Sequence, residues 1–261
     1  MQLKNARILL TGASGGLGQE LACQLTACGA ALLLAGRDSG RLNALATSLG
    51  PSAASICADL ERASGVAALA GAAREFGVNV LINNAGVSAF GLLENQEWAA
   101  IERVLATNLE APIHLTHALL PWLKAQPQAA IVNIGSTFGS LPFPGFVAYS
   151  AAKAGLRGFS QALRRELADS LVAVIHIAPR AIDTPLNTDA VKALNRALKN
   201  QSDSPVDVAR QVVAALRRGD GEHHFGFPER LFAWLNGVAP SLIDRGLASK
   251  LAIIKQHSPS S

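Results

Sequence analysis

Tyr149 and Lys153 stand four residues apart, and their types and spacing point to proton-transfer chemistry. They fall in a run that is typical of a helix, where residues four apart lie on one face, one turn from each other. An ammonium group beside a phenol favours the phenolate, so we expect Lys153 to lower the pKa of Tyr149 from its usual value of about 10. Such a tyrosine exchanges a proton with an alcohol or a carbonyl near neutral pH. By itself, this spacing is more typical of a solvated surface pair.

A serine upstream strengthens the chemical interpretation. Ser136 directly follows Gly135 and the apolar run 130–134, which is typical of a buried strand. The serine is therefore expected at the carboxyl end of that strand, thirteen residues before Tyr149.

A glycine-rich turn near the amino terminus, Gly12-Ala-Ser-Gly-Gly-Leu-Gly18, follows an apolar strand and precedes a helical pattern. Glycines let the backbone turn tightly and approach a ligand closely, and the helix amino terminus then offers free N–H groups and the positive end of a dipole. Strand, loop and helix in this order predict a pyrophosphate site.

The second apolar run, 30–35, ends in Gly36 and Arg37. An acidic residue at this point suits the free 2′-hydroxyl of NAD, whereas an arginine suits the 2′-phosphate of NADP. No acid stands at the strand tip, so Arg37 predicts NADP(H) as the favoured cofactor, with NAD(H) as the alternative. A loop arginine without a partner is the competing interpretation.

These motifs together resemble the classical short-chain dehydrogenases/reductases over residues from about 6 to 190. They occur in the order and at the spacing of that family: Thr11-Gly-x-x-x-Gly-x-Gly18, Asp59-Leu60, Asn83-Asn-Ala-Gly86, Asn108, Ser136, Tyr149-x-x-x-Lys153 and Pro179 with Thr184. The resemblance implies a single-domain α/β fold of the Rossmann type and an oxidoreductase acting on a carbonyl or alcohol.

The resemblance also implies catalytic roles. Tyr149 would be the general acid in reduction or the base in oxidation, and Ser136 would hydrogen-bond the substrate oxygen. Lys153 would lower the Tyr149 pKa and bind the nicotinamide ribose, and Asn108 would hold a water that links Lys153 to solvent. The residues implied in cofactor binding are Gly12, Ser14, Gly16, Leu17, Gly18, Arg37, Asp59, Leu60, Asn83, Ala85, Gly86, Tyr149, Lys153, Pro179, Ile182 and Thr184.

Two positions depart from the family pattern. Arg180 follows Pro179 where a glycine is usual, and it either contributes charge near the substrate mouth or faces solvent. Gly15 stands where many NADP-using relatives carry a basic residue in the phosphate loop, so the cofactor prediction rests on Arg37 alone.

Composition agrees with a buried sheet covered by helices on both faces, since 49% of the 261 residues are hydrophobic and 16% are charged. Near-continuous apolar runs predict parallel strands, and the helical patterns between them predict a doubly wound sheet. The predicted strands are 6–10, 30–35, 54–58, 78–82, 129–134 and 172–177, with an edge strand at 222–227. We expect a dinucleotide-binding and catalytic domain at 1–226, a helical extension of that domain at 227–256 and a polar tail at 257–261.

The net charge and the cysteine and histidine positions argue against nucleic-acid binding and against a metal site. The net charge of +4 is mild, and no basic cluster with interleaved aromatic residues indicates nucleic-acid binding. Cys23, Cys28 and Cys57 lack metal-ligand spacing, and we expect them to be small buried hydrophobes in a protein of the reducing cytoplasm. The adjacent His223 and His224 would point to opposite faces of a strand, so no metal site is predicted. No signal peptide or membrane-spanning helix is expected.

The segment 227–256 predicts two amphipathic helices separated at Pro240. Packing explains them most simply, as a lid over the substrate pocket or as a contact in a homodimer or homotetramer. The sharper hypothesis is that this basic, aromatic-bearing segment lies on a membrane surface and delivers a lipophilic substrate.

Apolar residues of the expected substrate flap between Thr184 and Pro205 favour a hydrophobic ketone, alcohol or acyl chain as the small-molecule substrate. The main hypothesis is an NADP(H)-dependent carbonyl reductase or alcohol dehydrogenase. The alternatives are a catalytically quiet NADP-binding regulator or scaffold and an extended-type epimerase or dehydratase. The complete set of Asn108, Ser136, Tyr149 and Lys153 argues against a scaffold, and the phosphate-loop spacing argues against the extended type.

Overall fold

Seven parallel strands form one sheet in the computed structural model, which describes residues 1–219 and 221–259. In chain order they are β1 Arg7–Thr11, β2 Ala31–Gly36, β3 Ala53–Cys57, β4 Val80–Asn83, β5 Ala129–Ile134, β6 Val172–Ala178 and β7 Gly221–His224. The order across the sheet is β3-β2-β1-β4-β5-β6-β7, so the direction of winding reverses between β1 and β4. This is the predicted doubly wound sheet, and the ligand crevice of such sheets lies at the reversal point.

Eleven helices connect or follow these strands within the described residues. They are α1 Gly16–Ala27, α2 Ser39–Leu49, α3 Ala63–Phe76, α4 Trp98–Leu105, α5 Ala111–Lys124, α6 Val147–Glu166, α7 Asp189–Ala197, α8 Pro205–Arg218, α9 Glu229–Val238, α10 Pro240–Ala248 and α11 Leu251–His257. A π-helical turn, Ala106–Glu110, joins α4 to α5 without a break.

The core lies in two layers, one on each face of the sheet. Helices α1, α2 and α8 pack on one face, and α3, α5 and α6 pack on the other. The central strands β1, β4 and β5 are buried on both faces, which explains their near-continuous apolar sequences. The first six strands lie within two residues of their predicted bounds, while β7 ends three residues before the predicted edge strand does.

Parallel strands bring their carboxyl ends to one edge of the sheet. The glycine turn after β1, Arg37 after β2, Ala85 after β4 and Ser136 after β5 therefore meet at this edge. Helix α6 begins at Val147 and carries Tyr149 and Lys153 to the same edge.

The carboxyl-terminal segment contains three helices rather than the two predicted. Pro240 begins α10 as expected, because proline is tolerated in the first turn of a helix. The second predicted helix is interrupted at Ser249–Lys250, so that α11 forms a separate element. Ile254 of α11 is fully buried beside Phe146, which attaches this segment to the body of the protein. Of the predicted polar tail, residues 260–261 lie outside the described residues.

The cysteine prediction is wrong. Cys23 and Cys57 are exposed and Cys28 is half-buried, and all three are free thiols. Cys23 lies on the outer face of α1, and Cys57 lies on β3, which is an edge strand and therefore less covered than the central ones. Among the described helices, none is both long and apolar enough to cross a bilayer.

Candidate active site

One large cleft of about 1070 Å³ runs along the carboxyl edge of the sheet. Its two ends differ in character. One end is lined by Arg37, Arg41 and the phosphate loop, and the other by aromatic residues around Tyr149 and by helices α7, α9 and α10. Ligand pockets typically span about 300–1,000 Å³, so this cleft is large enough for an extended ligand and a second small molecule.

The phosphate loop depends on glycine at two close approaches. Gly12 has a φ of +63°, and a Cβ on it would lie 2.7 Å from the Cα of Ala85. A Cβ on Gly16 would lie 2.9 Å from the Cγ2 of Thr184, so glycine allows the segment after β6 to pack over the loop. Helix α1 begins at Gly16 with no side-chain cap, which leaves its amino-terminal N–H groups for an anion.

Two arginines lie where β2 ends. Arg37 Nη1 is 3.0 Å from Glu61 Oε1, and both side chains are partly exposed. Arg41, in the first turn of α2, donates a 2.7 Å hydrogen bond from Nη2 to the Ser14 carbonyl oxygen. Asp38 caps α2 by accepting a hydrogen bond from the Arg41 backbone N–H. The interpretation of Arg37 as a cation without a partner is therefore wrong.

The predicted residues after β3 and β4 line the cleft, with one correction. Asp59 and Leu60 lie at the Arg37 end, and Ala85 and Gly86 lie in the middle. Asn83 was predicted to contact the adenosine side of the cofactor. Its side chain instead lies along a face of the sheet, where Nδ2 donates a 2.8 Å hydrogen bond to Asn133 Oδ1 on the neighbouring strand. The adjacent Asn84 lines the cleft, because successive residues of a strand face opposite sides.

The predicted catalytic side chains Ser136, Tyr149 and Lys153 all line the cleft. Ser136 Oγ accepts a hydrogen bond from the Phe138 N–H at 3.2 Å, which fixes the serine at the end of β5. Lys153 is buried, and its Nζ donates a 2.8 Å hydrogen bond to the carbonyl oxygen of Ile134. The same nitrogen lies 5.7 Å from the centre of the Tyr149 ring.

The sequence predicted a lowered pKa for Tyr149, and this prediction is wrong. Burial raises the pKa of Tyr149 above its usual value, and a hydrogen bond with Ser136 offsets this only in part. Burial also lowers the pKa of Lys153 to about 8. The spacing prediction placed the two residues together correctly, but it did not take into account the aromatic side chains that desolvate the phenol.

Asn108 lies in the π-helical turn and is fully buried. Its Oδ1 accepts from the Val87 N–H at 3.0 Å, and its Nδ2 donates to the Val87 carbonyl at 2.7 Å. A Cβ on Gly86 would lie 2.9 Å from Asn108 Oδ1 and 3.9 Å from Lys153 Nζ, so Asn108 stands close behind Gly86. Its side chain thus anchors the loop after β4.

A row of polar side chains crosses four strands beneath α6. In register, Asn83 pairs with Asn133, Asn133 with His176, and His176 with Glu222. His176 is fully buried, and neither ring nitrogen has a hydrogen-bond partner among the described residues. A Cβ on Gly135 would lie 2.2 Å from His176 Nε2, so the ring packs directly against the residue before Ser136.

Two groups at the Glu222 end of this row, Glu222 and His176, have pKa values far from their usual ones. Burial disfavours the Glu222 carboxylate, but hydrogen bonds from His224, Arg157 and Gln161 outweigh it and hold the pKa of Glu222 well below its usual range. Burial lowers the pKa of His176 to about 3, although the charge of Glu222 opposes this shift. The imidazole is therefore neutral at physiological pH.

Arg180 is a structural cross-link. It lies 2.7 Å from Asp203 Oδ1 and 3.5 Å from Glu229 Oε2, and it donates a 2.9 Å hydrogen bond to Gln201 Oε1. Its side chain is only 15% exposed, so the prediction of a solvent-facing arginine is wrong. Arg180 lines the cleft, but its cation is paired with both carboxylates, and the contact with Glu229 ties the start of α9 to the segment after β6.

The predicted nicotinamide-end residues Pro179, Ile182 and Thr184 line the cleft. Beyond them, Phe138 and Phe143 stack at 5.2 Å between ring centres, and Phe138 meets the edge of Tyr149 at 6.3 Å. Phe146 also lies against Tyr149, at 6.4 Å. The wall beside the phenol is therefore aromatic and apolar.

Sequence reasoning missed Arg41, Glu61 and Asn84 at the cofactor end. Arg41 follows Arg37 by four residues in the first turn of a predicted helix, a spacing that could have identified it. Glu61 could not be found in this way, because its contact with Arg37 spans two strands.

The cleft fits a nicotinamide dinucleotide. An uncapped helix amino terminus lies between a basic pair at one end and Tyr149 with Lys153 at the other. Ser14, Leu17 and Gly18 line the turn between them. Within the described part of the chain, no cluster of three His, Cys, Asp or Glu side chains offers a metal site.

Comparison with known proteins agrees with this geometry. The family model described as short chain dehydrogenase matches residues 6–195. Dehydrogenase/reductase SDR family member 7B from Bos taurus is 35% identical, over 95% of this chain and 82% of that protein.

Solved structures give the same result. A short-chain dehydrogenase/reductase from Burkholderia phymatum, in complex with NAD, has a TM-score of 0.84 and 25% identity over 93% of this chain and 96% of that one. A short-chain dehydrogenase from Sphingobium yanoikuyae, in complex with NADPH, has a TM-score of 0.80 and 30% identity over 92% and 95%. The chain therefore belongs to the short-chain dehydrogenase/reductase family of the classical type, and it is an oxidoreductase that uses a nicotinamide cofactor.

Proposed function

We propose that this enzyme is an NADP(H)-dependent carbonyl reductase that transfers hydride between the nicotinamide and the carbonyl or secondary alcohol of a hydrophobic small molecule or acyl group. The observation that carries the proposal is the asymmetry of the cleft. A basic pair, Arg37 and Arg41, lies at one end, and an aromatic wall surrounds Tyr149 at the other.

The preference for NADP(H) is supported by both arginines. A 2′-phosphate is a doubly charged acceptor that planar guanidinium groups bind well. The Arg37–Glu61 pair is exposed on the arginine side, and exposed ion pairs contribute little, so a phosphate could displace Glu61 at small cost. Asp38, the nearest acid to the strand end, is engaged as the cap of α2.

The substrate class is supported by the wall beside Tyr149. Phe138, Phe143 and Phe146 offer no charge and no hydrogen-bond donor toward a substrate, and the Arg180 cation is already paired with two carboxylates. A sugar or a highly charged acid would leave its polar groups unpaired against this wall. A ketone or alcohol with apolar substituents matches it.

The proposed chemistry divides the work among four residues. The bound nicotinamide supplies or accepts the hydride. Tyr149 donates the proton to the carbonyl oxygen in reduction, and Ser136 donates a hydrogen bond to the same oxygen as negative charge develops on it. Burial raises the pKa of Tyr149, so the phenol carries at neutral pH the proton that reduction requires.

Lys153 and Asn108 would restore the proton. The Lys153 ammonium stabilises the phenolate left after proton transfer and hydrogen-bonds the nicotinamide ribose. We assign Asn108 to the water-mediated link between Lys153 and solvent. Its side chain holds the loop after β4 in place through two hydrogen bonds with the Val87 backbone.

The test is consumption of NADPH absorbance with a panel of hydrophobic ketones, aldehydes and acyl thioesters, each repeated with NADH. The proposal expects turnover of apolar ketones with a clear preference for NADPH. NADPH binding without turnover of any compound would favour the regulatory or scaffold alternative. Preference for sugar substrates would contradict the proposed substrate class.

The proposed assembly is a homo-oligomer, and the proposed location is the cytoplasm. Exposed apolar residues on the outer faces of α4, α5 and α6, among them Trp98, Ile113 and Val147, support a homodimer or homotetramer. The cytoplasm stays the predicted location. Sedimentation equilibrium of the full chain tests the assembly.

A further inference from the structure

Helix α9 presents an apolar stripe to solvent. Leu231, Trp234 and Val238 follow one another at spacings of three and four residues, so they share one face of the helix. Trp234 is 64% exposed and Val238 61% exposed, and no residue of α9 is buried. We call these three residues the α9 outer stripe.

The opposite side of the same helix lines the cleft. Phe232 and Leu235 of α9 face the cavity, together with Leu242 and Leu247 of α10. Asn236 fixes this orientation, because its Nδ2 donates a 3.0 Å hydrogen bond to the Ser140 carbonyl oxygen. One apolar helix therefore separates the substrate end of the cleft from solvent.

Exposed basic side chains lie on the same helical segment as the stripe. Arg230 on α9, Arg245 on α10 and Lys255 on α11 are exposed, and none forms an ion pair with another described residue. Of the two acids in α9–α11, Glu229 is turned toward Arg180 and Asp244 is exposed beside Arg245, so the three exposed cations exceed the one exposed acid. The surface thus combines exposed apolar and aromatic side chains with a local excess of positive charge.

We propose that the α9 outer stripe and its basic neighbours dock on an anionic phospholipid surface, and that the cleft receives a lipophilic carbonyl substrate from the bilayer. The substrate part of this inference rests on the proposed function. Tryptophan and leucine beside arginine and lysine are typical of helices that lie in the membrane interface. Apolar burial and attraction to anionic lipids together supply the two signals that stable, reversible binding requires.

A lipid surface fits better than a second copy of the chain. A stable protein interface buries about 800 Å² on each partner. Three partly exposed side chains provide much less, since even a complete aromatic side chain contributes only about 150–250 Å². A two-fold interface on this surface would also gather the unpaired arginines and lysines of both copies, and like charges repel.

The test is co-sedimentation of the full chain with vesicles of phosphatidylcholine alone or with about one third phosphatidylglycerol. The wild type should bind the anionic vesicles, and high salt should weaken binding. The variant Leu231→Ser/Trp234→Ser/Val238→Ser should lose about tenfold or more in partitioning. The variant Arg230→Gln/Arg245→Gln should lose about tenfold on anionic vesicles only.

Leu171→Ser is the matched control, because Leu171 is 70% exposed but precedes β6 at the opposite edge of the sheet. It should bind vesicles like the wild type. Failure of the wild type to bind anionic vesicles, or equal binding by the stripe variant, would overturn the proposal. A wild-type dimer that the stripe variant makes monomeric, without vesicle binding, would assign the surface to a second copy instead.

Activity separates this inference from the proposed function. The stripe residues do not line the cleft, so reduction of a short, water-soluble ketone without vesicles should be unchanged in the stripe variant. Reduction of a long-chain ketone supplied in anionic vesicles should fall about tenfold, and an unchanged rate would overturn delivery from the bilayer. Vesicle binding by a wild type that reduces neither ketone would support the docking surface and contradict the proposed function alone.

Discussion

The Lys153 ammonium group donates a 2.8 Å hydrogen bond to the backbone carbonyl oxygen of Ile134. This contact ties α6 to the end of β5, two residues before Ser136. Because burial lowers the pKa of Lys153 to about 8, the charge of this buried amine depends on the few groups that face it. The lysine thus joins the strand that carries the serine to the helix that carries the tyrosine.

Lys153→Ala should therefore impair two properties at once. We expect kcat to fall by at least about 100-fold, because the phenolate loses its cation, and the Kd for NADPH to rise. Steady-state rates and NADPH fluorescence titration measure the two effects. Lys124→Ala, at the last turn of α5 and outside the cleft, is the control and should change neither. An unchanged Kd would remove the ribose role of Lys153.

Arg37→Ala should weaken NADPH selectively. Loss of one charge-assisted hydrogen bond costs about 1.5–3 kcal/mol, so the KM for NADPH should rise about 10- to 100-fold while the KM for NADH stays constant. Arg41→Ala should act in the same direction. Glu61→Gln should lower the KM for NADPH, because a carboxylate no longer competes for Arg37. Equal effects on both cofactors would contradict the 2′-phosphate assignment.

Arg180→Met should destabilise the protein by about 1–3 kcal/mol, since it leaves the partly buried Asp203 and Glu229 without their cation. The substrate KM should also rise, because α9 loses its attachment to the segment after β6. Urea unfolding and steady-state kinetics are the measurements. Adding Asp203→Asn should recover part of the stability, and a stability equal to that of the wild type would show that the cross-link contributes nothing.

His176 makes stability depend on pH. Its pKa is about 3 in the folded protein and about 6.5 when unfolded, so below pH 6.5 the unfolded chain binds the extra proton. The stability that the protein has with a neutral His176 is fully present above pH 6.5. It is lost progressively as the pH falls from 6.5 toward 3. Between pH 8 and pH 5 the free energy of unfolding should drop by about 2 kcal/mol.

His176→Asn should reduce that drop, and His114→Asn, on an exposed face of α5, should leave it unchanged. Urea unfolding at both pH values gives the comparison. Lys153, Arg157, Glu222 and His224 are the charged or titratable neighbours whose charge acts on His176. An identical drop in wild type and His176→Asn would show that His176 is not the source of the acid sensitivity.

Features that depend on neighbouring residues in the chain were predicted correctly from the sequence. Nearly continuous apolar runs located β5 and β6 to within one residue, because strands buried on both faces are apolar on both sides except at Asn133 and His176. The helix after Gly18 and the register of Tyr149 with Lys153 followed from helical spacing alone.

Contacts between residues far apart in the chain could not be predicted from the sequence. Arg180 pairs with Asp203 and Glu229, which lie 23 and 49 residues further along the chain. The motif at Asn83 identifies the end of a strand but not which of two adjacent amides faces the cleft, since that depends on the pleat. Burial raises the pKa of Tyr149, and spacing does not reveal that the loop after β5 places Phe138 and Phe146 against its ring.

The central claim is that Tyr149 donates the proton to the substrate oxygen. Tyr149→Phe removes only the hydroxyl and keeps the ring that packs against Phe138. The direct measurement is single-turnover oxidation of bound NADPH by an apolar ketone, with the Kd for NADPH determined on the same samples. We expect the rate to fall by about 100- to 10,000-fold while the Kd stays within about twofold. A rate near that of the wild type would contradict the account.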